Sequence, residues 1–134
     1  MKIIYQTATG ITIITPTGEL SIEDVAEKDV PAGAPFRIVN DDEVPDDRTF
    51  RNAWKDDNGI SVDMSKARTI THDARRVARS AEFAPLDIKS TIPSESVAAE
   101  ADRAVIRAKY ADMQVSIDAA PNSASLKTIM ESLA

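Results

Sequence analysis

The chain contains no cysteine, so disulfides and thiolate metal sites are excluded and a reducing compartment is compatible with it. It has four glycines, each isolated at Gly10, Gly18, Gly33 and Gly59, which leaves no glycine-rich phosphate loop. No apolar run approaches the roughly 20 residues that span a bilayer, so no membrane association is expected. The start, Met-Lys-Ile-Ile-Tyr, lacks the long apolar stretch of a signal peptide. A single histidine, His72, removes the usual histidine pairs of metal sites and leaves one candidate general base. Asp73 follows it at about 100° round a helix, a poor orienting partner, so His72 reads as a surface residue among arginines. Aromatic residues number six, and four of them, Tyr5, Phe36, Phe50 and Trp54, lie before residue 63.

What is present divides the chain near Asp63. Residues 1–62 carry 6 Lys+Arg against 12 Asp+Glu, net −6, whereas residues 63–134 carry 10 against 10, net 0. The first half has short β-branched runs punctuated by Pro and Gly; the second has helical periodicity. The reading is α+β: a small, mainly antiparallel N-terminal sheet with short helices over 1–62, then a helical hairpin and a short terminal helix over 63–134. At 134 residues this is one domain, or a small head with an appendage.

In the head, Lys2–Ala8 and Ile11–Thr15 read as a hairpin about Thr9-Gly10. Ser21 is a cap for a helix over about 22–27, halted by Pro31 and Gly33. Phe36–Val39 is a third strand and Ile60–Asp63 a fourth, after the tight-turn signature Asp57-Asn58-Gly59, giving a three- or four-stranded sheet. Asp46 or Asp47 is expected to cap a short helix that places Phe50 and Trp54 on one face. The acidic run Asp41–Asp47 reads as a solvated loop, since it lacks the glycine and spacing of a cation loop.

In the second half, Asp63 is an N-cap. Ala67, Ile70, Ala74, Val77, Ala78 and Ala81 form an apolar stripe, with Arg68, His72, Arg75, Arg76 and Arg79 opposite. Pro85 is expected to end or kink this helix near Phe83. A second helix over about 95–119, capped by Ser94 or Ser96, carries the stripe Val97, Ala101, Val105, Ala108, Met113 and Ile117. A last helix over about 124–133 presents Leu126, Ile129, Met130 and Leu133. Alanine buries little area per residue at about 25 cal/mol per Å². The helical part therefore needs the head, a second copy or a partner.

No nucleophile–base pair, metal cluster or cofactor motif emerges, so no catalytic, metal or cofactor residues are assigned and the chain reads as a non-enzyme. The candidate contact residues are Phe50, Trp54, Arg68, Arg75, Arg76 and Arg79. Tryptophan is common at interface hot spots, although with so few aromatics both rings could equally form the core of the head, the favoured reading for Phe50 and an open one for Trp54; the arginine face suits an acidic protein surface. It would also suit nucleic-acid phosphates, although charge is the only nucleic-acid sign present and the chain as a whole is acidic.

The words Met1–Thr7, Ile13-Ile14-Thr15-Pro16, Lys28–Val39, Asp47–Trp54 and Val62–Arg68, taken in series, resemble a group of small tail-region proteins of tailed bacteriophages and prophages. This likeness covers about residues 1–80. The helical half is similar in style to phage tail assembly chaperones and tail-fibre-associated proteins. The resemblance implies a virion or assembly role, made in the host bacterial cytoplasm and located in the tail region. It implies other tail or fibre proteins as partners, homo-oligomerisation, and no cofactor. It brings no catalytic residues. The long β-repeats of a fibre shaft are missing, so an adaptor is expected. The rival readings are a transient assembly chaperone and a nucleic-acid-binding regulator using the arginine face.

Overall fold

The computed structural model describes all of residues 1–134. It divides into two compact units, Met1–Lys66 and Ala67–Ala134. The α+β reading holds: the sheets lie at the N-terminus and the long helices follow.

The head is built on β1 (Lys2–Thr7), flanked by β2 (Gly10–Ile14) and β3 (Phe36–Val39) in the order β2-β1-β3, both pairings antiparallel. Alternation along β1 sends successive isoleucines to opposite faces. Ile3 packs with Val25, Ala26 and Val30 of and beside helix α1 (Ile22–Asp29). Ile4 packs with Ile11, Val39, Val44 and Trp54 on the other face. The central strand is thus apolar on both sides, which is why its run Ile3-Ile4 is unbroken.

Helix α1 begins as expected, with the Ser21 hydroxyl accepting from the Asp24 N–H at 3.2 Å. It runs two residues past the expected end, because Pro31 constrains only Val30 and leaves Lys28 and Asp29 free to stay helical.

The main sheet has three strands, the smaller of the two sizes expected, and the strand expected after the 57–59 turn is not part of it. β4 (Trp54–Asp56) and β5 (Ile60–Val62) make a separate two-stranded ribbon around the 57–59 turn. Nor is there a helix from Asp47 to Trp54. Asp47 Oδ1 accepts from both the N–H and the hydroxyl of Thr49, an Asx turn that competes with helix formation. Only a 3-10 turn at Arg51–Ala53 follows, and Trp54 is already extended. Phe50 and Trp54 therefore do not share a helix face.

Side-chain links fasten the ribbon to the sheet. Gln6 accepts from the Asp56 N–H at 3.0 Å and donates to the Gly10 carbonyl at 2.7 Å. Arg37 grips Asp56 with two parallel hydrogen bonds of 2.8 and 2.7 Å. That grip, opposed by desolvation and helped by the Gly59 N–H, holds the Asp56 carboxyl below its ordinary range. Gly10 has φ +122°, and a Cβ there would lie 2.8 Å from the Arg51 carbonyl oxygen, so only glycine lets the 3-10 turn approach.

The helical unit contains α2 (Met64–Lys89), α3 (Ser96–Ala119) and α4 (Ser123–Ser132), the first turn of α2 belonging to the head. Asp63 caps α2 through the N–H groups of Ser65 and Lys66. The pairings Arg68–Ala120, His72–Asp118, Glu82–Lys109 and Asp87–Arg103 run in opposite senses along the two helices, which defines an antiparallel hairpin. Pro85 does not end α2. An internal proline costs about 3 kcal/mol, and the exposed Glu82–Lys109 and Asp87–Arg103 pairs on either side of it, at about 0–1 kcal/mol each, offset only part of that. The cap of α3 also differs: Glu95 occupies that position without a side-chain bond, while the Ser96 hydroxyl donates to the Pro93 carbonyl. Asn122 caps α4, whose Leu126 is fully buried.

Candidate functional site

The two aromatic candidates lie inside the head. Phe50 is 4% and Trp54 2% exposed. Trp54 fills the space between the β-ribbon and the sheet, against Ile4, Ile11, Val39 and Val44. Assigning them as partner contacts is corrected on that ground: a ring enclosed by its own chain has no face for another.

The four arginine candidates do not form one face. Arg68 donates from Nη2 to the Ala120 carbonyl at 3.0 Å, capping the C-terminal end of α3, where positive charge is favoured. Arg75 is 7% exposed, and its Nε has no hydrogen-bond partner. Arg76 is exposed and bonded to Asp73 one turn earlier at 2.8 Å. Arg79 is exposed, with its guanidinium 4.8 Å from the centre of the Phe83 ring. His72 is also not the surface residue expected: its side chain is half-enclosed, with Nε2 2.8 Å from Asp118 Oδ1.

The cause is a rotation of the buried face. The expected stripe put Val77 and Ala81 inward, yet both are exposed, and the inward positions are Ala67, Thr71 and Arg75. Thr71 meets its own needs by donating to the Ala67 carbonyl at 2.8 Å. Arg75 does not, and a buried donor without a partner costs about 1–3 kcal/mol. Arg75→Leu, which keeps bulk and removes the charge, is expected to raise stability by about 1 kcal/mol. Equilibrium urea unfolding of the two proteins checks this; a loss of stability would mean that the charge is compensated.

Arg79 does contribute to a depression of about 340 Å³ lined by Arg79, Ser80, Phe83, Asp87, Arg103 and Arg107. Two guanidinium groups approach the Phe83 ring, Arg103 at 5.9 Å. Glu100 takes both Arg103 and Arg107, and its carboxyl is held below the ordinary range chiefly by the Arg107 bond. Arg103 Nε sits 3.3 Å from Asp87 without hydrogen-bond alignment. Three arginines against Asp87 and Glu100 leave one positive charge, enough for weak contact with an acidic group. Sequence reading missed Phe83, Arg103 and Arg107 because their signal, Glu100 three and seven residues ahead of two arginines, reads as an ordinary solvated helix face.

No group of three or more His, Asp or Glu side chains converges as a metal site, and no helix is long and apolar enough to cross a membrane. Compared with known proteins, the chain matches no family model, no curated protein and no solved structure.

Proposed function

We propose that this chain is a non-enzymatic structural adaptor of the tail, baseplate or fibre region of a tailed bacteriophage, joining other tail proteins through its helical unit. The observation that carries the interaction reading is apolar surface turned outward. Val77, Ile88, Val97, Val105 and Val115 are each between 67% and 84% exposed, while Thr71 and Arg75 are interior. Outward apolar faces on a helical hairpin mark contact with other proteins. The phage setting is supported by the sequence likeness over about residues 1–80. The nucleic-acid reading has less in its favour, since Arg68 and Arg75 are engaged in or beneath the hairpin and Arg76 is paired to Asp73.

The test is quantitative mass spectrometry of phage particles purified from cells that make this chain. An adaptor is present at a fixed copy number per particle. A chain needed for assembly yet absent from finished particles is the transient chaperone. A chain absent from particles and dispensable for making them overturns the phage reading.

A further inference from the structure

We infer that the depression between α2 and α3 is a recognition site for a carboxylate side chain presented by a partner protein, with the Arg79 guanidinium as its main donor. The inference rests on the interaction reading above, to which it gives a partner chemistry, and not on the phage setting.

Both arms of the hairpin build the depression. Arg79, Ser80, Phe83 and Asp87 come from α2, and Arg103 and Arg107, one turn apart, come from α3. Its volume of about 340 Å³ falls in the range of ligand sites. Ligand sites are mostly apolar, whereas every lining residue here except Phe83 is polar or charged, so the group it suits is charged as well.

Arg79 is the one cation of the depression that the chain does not neutralise. Arg103 meets Asp87 and Glu100, and Arg107 meets Glu100. Arg79 has no ion pair; its one specific contact is the Phe83 ring, 4.8 Å from the guanidinium carbon. Attraction to a ring occupies none of the N–H groups, so all the guanidinium donors remain free. The ring also restrains an otherwise mobile exposed side chain, which lowers the entropy lost when a ligand binds.

Further donors line the same space. Arg103 gives Nη1 and Arg107 gives Nη2 to Glu100, leaving Arg103 Nη2 and Arg107 Nη1 unbonded. Arg103 Nε is enclosed and without a hydrogen-bond partner. Ser80 adds a hydroxyl.

Charge and shape select the ligand. Three guanidiniums against Asp87 and Glu100 leave one positive charge, which one carboxylate balances. A phosphate monoester, at about −1.5 to −2, overshoots it. A nucleic-acid strand brings further phosphates, which Asp87 and Glu100 repel. The planar fork of a guanidinium matches the two oxygens of a carboxylate. Phe83 and the arginine stems supply an apolar wall for the methylene groups of a glutamate side chain.

The experiment is a titration of the full ¹⁵N-labelled chain, followed through its backbone amides and arginine Nε–H signals. The probe is the blocked peptide Gly-Gly-Glu-Gly-Gly, with Gly-Gly-Gln-Gly-Gly as its neutral isostere. A single exposed bidentate contact should saturate in the low millimolar range at low salt. The Glu peptide should move the Arg79 and Arg103 Nε–H signals and the amides around Phe83 along one saturable curve. The Gln peptide should give less than about a tenth of that response, because it lacks the charge. Arg79→Lys keeps the charge and loses the fork, and should weaken binding at least about fivefold. Arg76→Lys, on the same helix but already paired with Asp73, should leave binding unchanged. Both positions are exposed, so the spectra of both variants should match the parent away from the substitution.

No saturable shift, an equal response to the Gln peptide, or full binding by Arg79→Lys overturns the inference. Tighter binding of inorganic phosphate or of a single-stranded oligonucleotide at the same ionic strength overturns it too, by assigning the depression to phosphate. A failed titration of a chain still found at fixed copy number in phage particles removes this site and leaves the adaptor. A saturable site in a chain absent from particles supports the carboxylate site and counts against the phage setting.

Discussion

Replacing Trp54 with alanine is expected to destabilise the head by about 3–5 kcal/mol, the cost of a large aromatic removed from a packed core. Its ring is the largest fully buried side chain and forms the middle of the cluster between sheet and ribbon. The ribbon has only three residues on each strand, too short to stand alone. Without the indole, Ile4, Ile11, Val39 and Val44 face a cavity, and the ribbon keeps the half-buried Ile60 and Val62 and the links through Gln6 and Asp56. Small domains hold about 5–15 kcal/mol in total, so the loss would leave the head near its midpoint. Trp54→Phe should retain most of the stability. Hydrogen exchange at β1 amides, together with urea unfolding by circular dichroism, measures this without the indole signal that the substitution removes. Unchanged stability with lost partner binding would instead return Trp54 to the surface.

Tyr110→Ala is expected to cost the helical unit a similar amount, about 3–5 kcal/mol. Tyr110 is 2% exposed, the largest enclosed side chain between the helices of that unit. It also makes the unit sensitive to alkali. Burial, then the neighbouring Glu82 carboxylate, pushes its phenol above the ordinary value of 10.0. The Lys109 ammonium is raised above 10.5, first by its 2.8 Å bond to Glu82. A group whose folded pKa is raised contributes stability that is complete below its unfolded value and lost as pH rises through the folded one. Both groups therefore weaken the hairpin above about pH 10. Glu82 acts at the other end: the Lys109 bond holds it below 4.5, so its contribution is lost as pH falls beneath that value. Thermal melts from pH 3 to 12 should show a plateau from about pH 5 to 10. In Tyr110→Phe the alkaline decline should shrink to the part due to Lys109. A melting temperature that does not change between pH 9 and 12 would contradict this account.

Residue-level patterns predicted elements well where the determining forces are local. The Ile- and Tyr-rich run of β1, the alternation of β3, the Ser21 cap, the Asp57-Asn58-Gly59 turn and the start of α2 at Asp63 depend on neighbours a few residues away. Failures came where distant contacts outweigh local preference. Proline at 85 disfavours a helix in isolation, yet α2 runs on to Lys89 within a hairpin paired to α3 on both sides of it. Asp46 or Asp47 reads as a helix cap, but Asp47 makes an Asx turn, and the segment after it leads through a 3-10 turn into the ribbon.

The site was harder to read than the fold. A stripe of Ala and Val on α3 was visible, but it mixed two faces: Met113 and Ile117 belong to the inner seam, Val97, Ala101 and Ala108 to the outer. Periodicity counts apolar positions without saying which of two seams a neighbour covers. In the same way the arginines of α2 seemed one face by spacing, and the fold divided them among a helix cap, the interior, a local pair and an aromatic ring.

By itself the sequence determined the α+β order of elements, the acidic first half, the absence of thiol chemistry and an alanine-rich helical half unable to build a large core of its own. These follow from composition and from backbone preferences that act over one or two turns. Only the tertiary structure decided that Trp54 is core, that β4 and β5 leave the main sheet, that Arg75 is inside and that one apolar seam of α3 stays uncovered. Each of those outcomes is a choice between faces of similar local energy, and such choices are made by which surfaces, far apart in the chain, can be brought into contact at once.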